Sequence, residues 1–235
     1  MEKIISVIIP AYNESAGIRR VIKIIRSSPI VREIIVVDDG SSDNTSAIAI
    51  RSGAQVITLP RNRGKGQAMQ AGVNEAKNDV ILFCDGDMYG FSETSIKNMV
   101  SPIIEGKEDM VIGIRPVISS IQRIFPFLVP ISGFRAIKKS LWSEIPSKFI
   151  SGYQVELAIN FVARRNGWRV LHFDVPGLKH SIKEAKLGIF SGLVARATMS
   201  FDALLFFLDL YLLKRAESNA ALKKAKAYER VRLQK

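Results

Sequence analysis

Cysteine is almost missing from this chain of 235 residues, with Cys84 alone. That excludes an intrachain disulfide framework and a multi-thiolate metal centre, and it suits a reducing compartment. Cys84 ends the apolar run 80–84, a setting for a buried structural thiol rather than a nucleophile. Histidine is scarce as well, only His172 and His180. No uncharged apolar run reaches the roughly 20 residues of a membrane span. The most apolar stretch, 187–213, is broken by Arg196, Asp202 and Asp209. No secretory leader is legible, because Glu2 and Lys3 lead straight into a short strand pattern, so the expected location is cytoplasmic. Internal repeats and low-complexity tracts are absent too.

What is present is apolar residues at 47% and a surplus of positive charge, 34 Lys and Arg against 22 Asp and Glu. The first suffices for one large core, and one α/β domain with an appendage is the expectation. The second, a formal net charge of +12, favours anionic ligands such as nucleotides, phosphorylated sugars or acidic lipid headgroups. Nucleic acid has only this charge in its favour, and no nucleic-acid partner is expected.

Short β-branched runs alternate with helical patterns through the first half, the sequence form of βαβ units around a parallel sheet. Strands are expected at 4–10, 33–38, 54–58 and 80–84, and helices at 15–27, 45–52 and 66–76. Polar clusters at Asn13, Asp38 and Asp85 follow three of the strands, which places ligand-facing loops at one sheet edge. Further on, 94–104 and 156–166 read as helices and 110–114 and 169–175 as strands, while 115–133 gives no clear element. His172, inside the last of these strands, reads as structural. Residues 214–235 hold eight Lys or Arg against two Glu, the composition of a solvated helix or basic tail.

Asp85-Gly86-Asp87 sets two carboxylates one residue apart directly after an apolar strand. Such a pair suits Mg²⁺ or Mn²⁺, which take carboxylate and phosphate oxygens together. The alternative is an acidic turn facing solvent. Asp43 reads as a cap for the helix that follows. Lys65, flanked by Gly64 and Gly66, is placed to approach donor phosphates, or else is a surface lysine. Glu156 opens a helix and is either a base for an acceptor hydroxyl, an orienting group, or a carboxylate favoured by the helix dipole. His180 lies in a lysine-rich loop with Lys183 and Lys186. It is a candidate to complete the metal shell or to contact a diphosphate, against an ordinary loop histidine. Arg135 is either a phosphate contact or a solvated side chain.

Four segments occur in order: Pro10-Ala11-Tyr12-Asn13-Glu14, the run from Val37 to Asp43 with Asp38 and Asp39, Asn62-Arg63-Gly64-Lys65-Gly66, and Asp85-Gly86-Asp87. Together they resemble the motifs of the family 2 glycosyltransferases over roughly residues 4–186. The resemblance implies a GT-A fold, a Rossmann-like and mostly parallel central sheet flanked by helices. It divides the chain into a catalytic domain at 1–186 and a helical extension at 187–235. By the same resemblance Pro10, Tyr12, Asn13 and Glu14 line the nucleoside pocket, Asp38 or Asp39 meets a base N–H, and Asp85, Gly86, Asp87 and Lys65 face the diphosphate. Ser132-Gly133-Phe134-Arg135, Gly152 to Glu156, and His180 with Lys183 are similar to acceptor-side elements, in particular those of polyprenyl-phosphate hexose transferases. The acidic motif departs from those enzymes, which commonly have Asp-Ala-Asp with a Gln shortly after.

The implied activity is metal-dependent, inverting transfer of a hexose from a UDP- or GDP-hexose. The favoured acceptor is a polyprenyl (dolichyl-type) phosphate, with 187–213 as peripheral membrane contact and a core helix or homodimer contact as its alternatives. A small phosphorylated acid or sugar is the alternative acceptor, and a non-catalytic nucleotide-sugar binder the alternative class.

Overall fold

Strand and helix follow here from which apolar spacing each segment carries. The computed structural model describes residues 5–116, 132–150, 152 and 154–180. Lys183, most of the unassigned stretch, and the expected extension at 187–235 with its membrane and dimer readings lie outside the described residues.

Apolar runs become the strands of one sheet. They are β1 (Ile5–Ala11), β2 (Val31–Asp38), β3 (Gln55–Thr58) and β4 (Val80–Phe83), followed by β6 (Met110–Ile114), β7 (Arg135–Lys138) and β8 (Val170–Asp174). The sheet order is β3-β2-β1-β4-β7-β6-β8. The sheet is covered on both faces at its centre, as parallel sheets require, and partly exposed at its edges β3 and β8. Only β7 runs against its neighbours in this sheet. The expected α/β architecture, a mostly parallel sheet flanked by helices, is therefore what the chain forms. Pro10 is tolerated in a central strand because the β1–β4 ladder has ended at Ile8 and Phe83, so its missing N–H removes no rung.

Helices α1 (Ile18–Ser27), α2 (Thr45–Arg51), α3 (Lys65–Glu75) and α4 (Glu93–Ile104) are joined by α5 (Lys139–Trp142) and α6 (Gln154–Arg165). In α1 the buried stripe is Ile18, Val21, Ile22 and Ile25, at three-to-four spacing. Covering each such side chain stabilises by about 1.5–3 kcal/mol. α1 starts three residues later than its pattern suggested. The amides of Glu14 and Ser15 are taken by Thr45 Oγ1 at 2.8 Å and Asp43 Oδ2 at 3.1 Å, which holds them in a loop. α3 lies on the opposite face, where Gly72 meets Ile8 of β1 so closely that a β-carbon would overlap it. No helix among the described residues is long and apolar enough to cross a membrane.

A feature absent from the sequence expectations is a two-stranded sheet. β5 (Met88–Tyr89) pairs antiparallel with β9 (Lys179–His180), with Met88 opposite His180. This pairing carries the chain after β8 back to the turn that follows β4.

At the other edge of the sheet Asp109 ties three strand ends together. Its carboxylate accepts from Lys138 Nζ at 2.6 Å and from the Arg169 amide, Nε and Nη2 at 3.0–3.1 Å. The Arg169 side chain, and after it Lys138 and the Arg169 amide, hold the carboxyl well below its ordinary 3.8 against the opposing effect of burial. A carboxyl depressed in the folded chain contributes stability that is complete above its unfolded pKa and is lost as pH falls through the folded one. Asp109→Asn should therefore lower the thermal midpoint at neutral pH by several degrees. The gap to the native chain should close as melts are taken below about pH 4. A gap that stays constant across that range would contradict the account.

Candidate active site

Three loops leave the carboxyl edge of the sheet and are stitched to one another by polar side chains. Asn13, with φ of 54°, donates its amide to Ser41 Oγ at 2.9 Å, and its Oδ1 accepts from the Ser42 amide at 2.9 Å. Asp43 accepts from the Ser15 and Thr45 amides, at 3.1 and 2.9 Å, and from the Thr45 hydroxyl. It thus serves the first turn of α2, as expected, and also ties the first loop to the second. Asp38 accepts from the Ser41 amide at 2.8 Å and from the Ser46 hydroxyl. Asp39 accepts from the amides of Arg63 at 2.7 Å and Gly64 at 2.8 Å. Burial pushes the Asp39 carboxyl above its ordinary value even though those two amides pull it down. One of these two aspartates was expected at a base N–H. In the fold both are turned inward, 2% and 3% exposed, and they organise the loops that would surround a nucleoside. Tyr12, by contrast, is 47% exposed at the rim.

The acidic turn follows β4. Gly86 packs against the Glu14 side chain and the backbone of Gly17, so this turn and the first loop share a wall. Cys84, just before it, is buried, and burial first, then the charges of Asp85 and Asp87, push its thiol well up. This is the structural thiol the sequence implied. Asp85 lies against Gly133, where any β-carbon would overlap the carboxylate. The Ser-Gly-Phe segment thus enters the site by lacking a side chain.

Lys65 occupies the centre. Its Nζ lies 2.5 Å from Asp85 Oδ1 and 2.5 Å from Glu156 Oε1, with side-chain exposures of 13%, 21% and 5% for the three groups. Burial alone would pull the ammonium's pKa down, but Asp85 and then Glu156 overcome it and leave it above its ordinary value. The surrounding backbone makes the reach possible. The Gly66 amide donates to the Gly152 carbonyl at 3.2 Å, and Gln67 Nε2 to the Ile150 carbonyl at 2.6 Å, which docks the start of α3 on the segment that leads into α6.

Behind Glu156, Arg135 is 1% exposed on β7. Its Nη1 donates to Asn160 Oδ1 at 2.7 Å, whereas Nε and Nη2 make no hydrogen bond among the described residues. Burial pulls its pKa down to about 10, with the Glu156 charge working the other way. The expectation of a solvated side chain for Arg135 is overturned by this burial. Glu156 stands in the first turn of α6, where the helix dipole favours a carboxylate, and it is 4% exposed.

The residues present fit a divalent cation. The Asp85 carboxylate already accepts a cation, the Lys65 ammonium, and Asp87 is two positions along the same turn. Among the described residues no three His, Cys, Asp or Glu side chains converge on one point. The protein would then supply carboxylates while phosphate oxygens complete the shell, the usual arrangement for Mg²⁺. The β5–β9 pairing brings the backbone of His180 opposite Met88, next to Asp87 in the chain. Ser41, Ser42 and Gly133 lie within the segments singled out in the sequence, whereas Asn160 and the cation–π contact of Arg20 over Tyr89 at 4.8 Å were missed. Of these, Asn160 alone carried a signal, since it follows Glu156 by four positions on one helical face.

Removing the ammonium would take its ion pair from both Asp85 and the buried Glu156. Lys65→Met should therefore destabilise by about 2–4 kcal/mol in urea unfolding. Adding Glu156→Gln to that variant should recover part of the loss. Strictly additive losses would contradict the ion-pair bridge.

The family model for "Glycosyl transferase family 2" matches residues 6–153, more than half of the chain. Glucosyl-3-phosphoglycerate synthase of Mycobacterium tuberculosis is 29% identical over 195 residues, covering 66% of this chain and 59% of that protein. The chain thus spans about three fifths of the length of that relative. Dolichyl-phosphate beta-glucosyltransferase of Mus musculus is 36% identical over 101 residues, covering 36% of this chain and 31% of that protein. A crystal structure of the mycobacterial synthase with Mn²⁺, UDP-glucose and phosphoglyceric acid superposes with a TM-score of 0.63 at 27% identity, covering 76% of this chain and 71% of that one. With the loops of Pro10 to Glu14, Asp38 to Asp43 and Asp85 to Asp87 gathered at one sheet edge, the chain belongs to glycosyl transferase family 2.

Proposed function

We propose that this protein is a metal-dependent glycosyltransferase that takes a UDP-hexose donor and passes the hexose to a small phosphorylated acid. The observation that carries the reading is the Lys65 ammonium held against Asp85 at 2.5 Å, beside Asp87, at the mouth of the loops that follow β1 and β2. That cluster offers positive charge and metal-ligating oxygens at one point, which is the need of a departing nucleoside diphosphate. What supports the acceptor is the likeness to an enzyme named for phosphoglycerate, with UDP-glucose and Mn²⁺ bound in its crystal structure. This reverses the sequence-based preference for polyprenyl phosphate. That preference is retained as a second reading on one observation, the local likeness to the dolichyl-phosphate enzyme.

Bound at Asp85 and Asp87, Mg²⁺ or Mn²⁺ would neutralise charge on the diphosphate. The chain's own residues do the rest. Tyr12, exposed at the rim, stacks on the base, while Asn13, Glu14 and the Asp38 and Asp39 loops fix the pocket's width. Lys65 turns from Asp85 toward the diphosphate when the donor arrives, and Glu156 keeps hold of its other side. Glu156 is then a positioning residue for that ammonium rather than the base that was expected, because it is nearly buried and already engaged. Arg135, held by Asn160, keeps a positive charge behind Glu156. His180 and Lys183 are proposed at the acceptor side of the acidic turn.

Two experiments test this. In a transfer screen with UDP- and GDP-hexoses, product should form from a UDP-hexose and a phosphorylated hydroxy acid, vanish with EDTA and return with Mn²⁺. Asp87→Ala should keep less than about a tenth of the rate, a loss above 1.4 kcal/mol in the barrier. Product on polyprenyl phosphate alone would transfer support to the second reading, and metal-independent product would overturn both. Glu156→Gln separates positioning from base catalysis. Positioning should raise the donor KM and leave the shape of the kcat pH profile intact. A base should lower kcat by roughly 10²–10⁴ with loss of the profile's acid limb.

A further inference from the structure

A second concentration of positive charge lies away from the acidic turn. Arg19, Lys23 and Arg26 follow one another at i, i+4 and i+7 along α1, opposite the buried stripe of Ile18, Val21, Ile22 and Ile25. With Arg51 and Ser52 at the end of α2 they line an open groove of about 450 Å³. α1 and α2 run back from the carboxyl edge of the sheet, so Arg26, Arg51 and Ser52 sit toward the edge opposite the acidic turn.

What sets these four cations apart is that they gather on one groove, and none of them has an anionic partner there. Lys65, Lys107, Lys138 and Arg169 each pair with a carboxylate, but none of Arg19, Lys23, Arg26 and Arg51 does among the described residues. One of the four is also built in. Arg26 Nη1 donates to the Ser52 carbonyl at 2.7 Å, and a β-carbon on Gly53 would overlap its guanidinium. That contact meets the carbonyl just past the end of α2, and Arg26 and Arg51 stand in the last turns of their two helices. Four like charges around one groove repel each other unless an anion joins them, and guanidinium groups match phosphate oxygens in pairs.

We propose that this α1–α2 groove is a second anion site, separate from the donor site, that takes a phosphate-bearing ligand. Its chemistry is that of a di- or triphosphate group or of a phospholipid headgroup, and the proposal is independent of the transferase reading. It is tested on the full chain with two probes, inorganic tripolyphosphate by calorimetry and vesicles of phosphatidylglycerol in phosphatidylcholine by co-sedimentation. The test variant is Arg19→Gln with Lys23→Gln and Arg51→Gln, which spares Arg26 and its structural contact. The control removes the same charge elsewhere, through Lys77→Gln, Lys97→Gln and Arg164→Gln. The groove variant should bind at least one probe about tenfold more weakly than the native chain, with the control within about twofold. The tripolyphosphate arm alone responding identifies a soluble phosphate, and the vesicle arm alone a lipid surface. Equal weakening in variant and control, or no weakening in either arm, overturns the site. Circular dichroism melts of both variants confirm that each is folded.

Discussion

One ammonium bridges the two halves of this fold. Lys65 begins α3 in the first half, and its partners lie on the turn after β4 and on α6 in the second half. Bringing three charged groups together below the surface carries a desolvation penalty that only close and mutual pairing offsets. The local backbone is arranged to permit that closeness. Gly133 leaves room for the Asp85 carboxylate, Gly66 docks on Gly152, and Asp39 anchors the loop before Lys65 through two amides.

The same bridge explains why so many polar residues near the site face inward. A nucleotide pocket at a sheet edge is made of loops, and loops hold their shape only where their amides are satisfied. Asp38, Asp39, Asp43 and Asn13 do this by accepting from amides of neighbouring segments. The ring of Tyr12 is left exposed, while in the acidic turn Asp85 is partly open and Asp87 is buried. The division is between residues that shape the pocket and residues that meet its contents, although both sets sit in the same short motifs.

The first four strands and the three ligand-facing loops were legible from apolar spacing, because a parallel sheet covered on both faces writes continuous β-branched runs into the chain. Helix starts were less so: α1 begins at Ile18 because side chains distant in sequence seize the amides before it. The acidic turn was legible as a pair of carboxylates, and Lys65 as a cation between small residues. Their pairing with each other and with Glu156 was not, since Lys65 and Glu156 are 91 positions apart. Arg135 illustrates the same limit. Its charge suggested solvent or phosphate, and only the antiparallel register of β7 with β4, Arg135 opposite Phe83, puts it inside. The β5–β9 pair, two residues on each side, is too short to write any period into the sequence.

The central claim is that Asp85 exchanges the Lys65 ammonium for a divalent cation when the donor binds. Electron paramagnetic resonance of Mn²⁺ reads this directly, because the sharp signal of the free aqueous ion broadens on binding. With the native chain, adding UDP-glucose should abolish the free signal. In the Asp85→Asn, Asp87→Asn double variant the signal should persist. Equal loss of signal in both proteins would place the metal elsewhere and contradict the account.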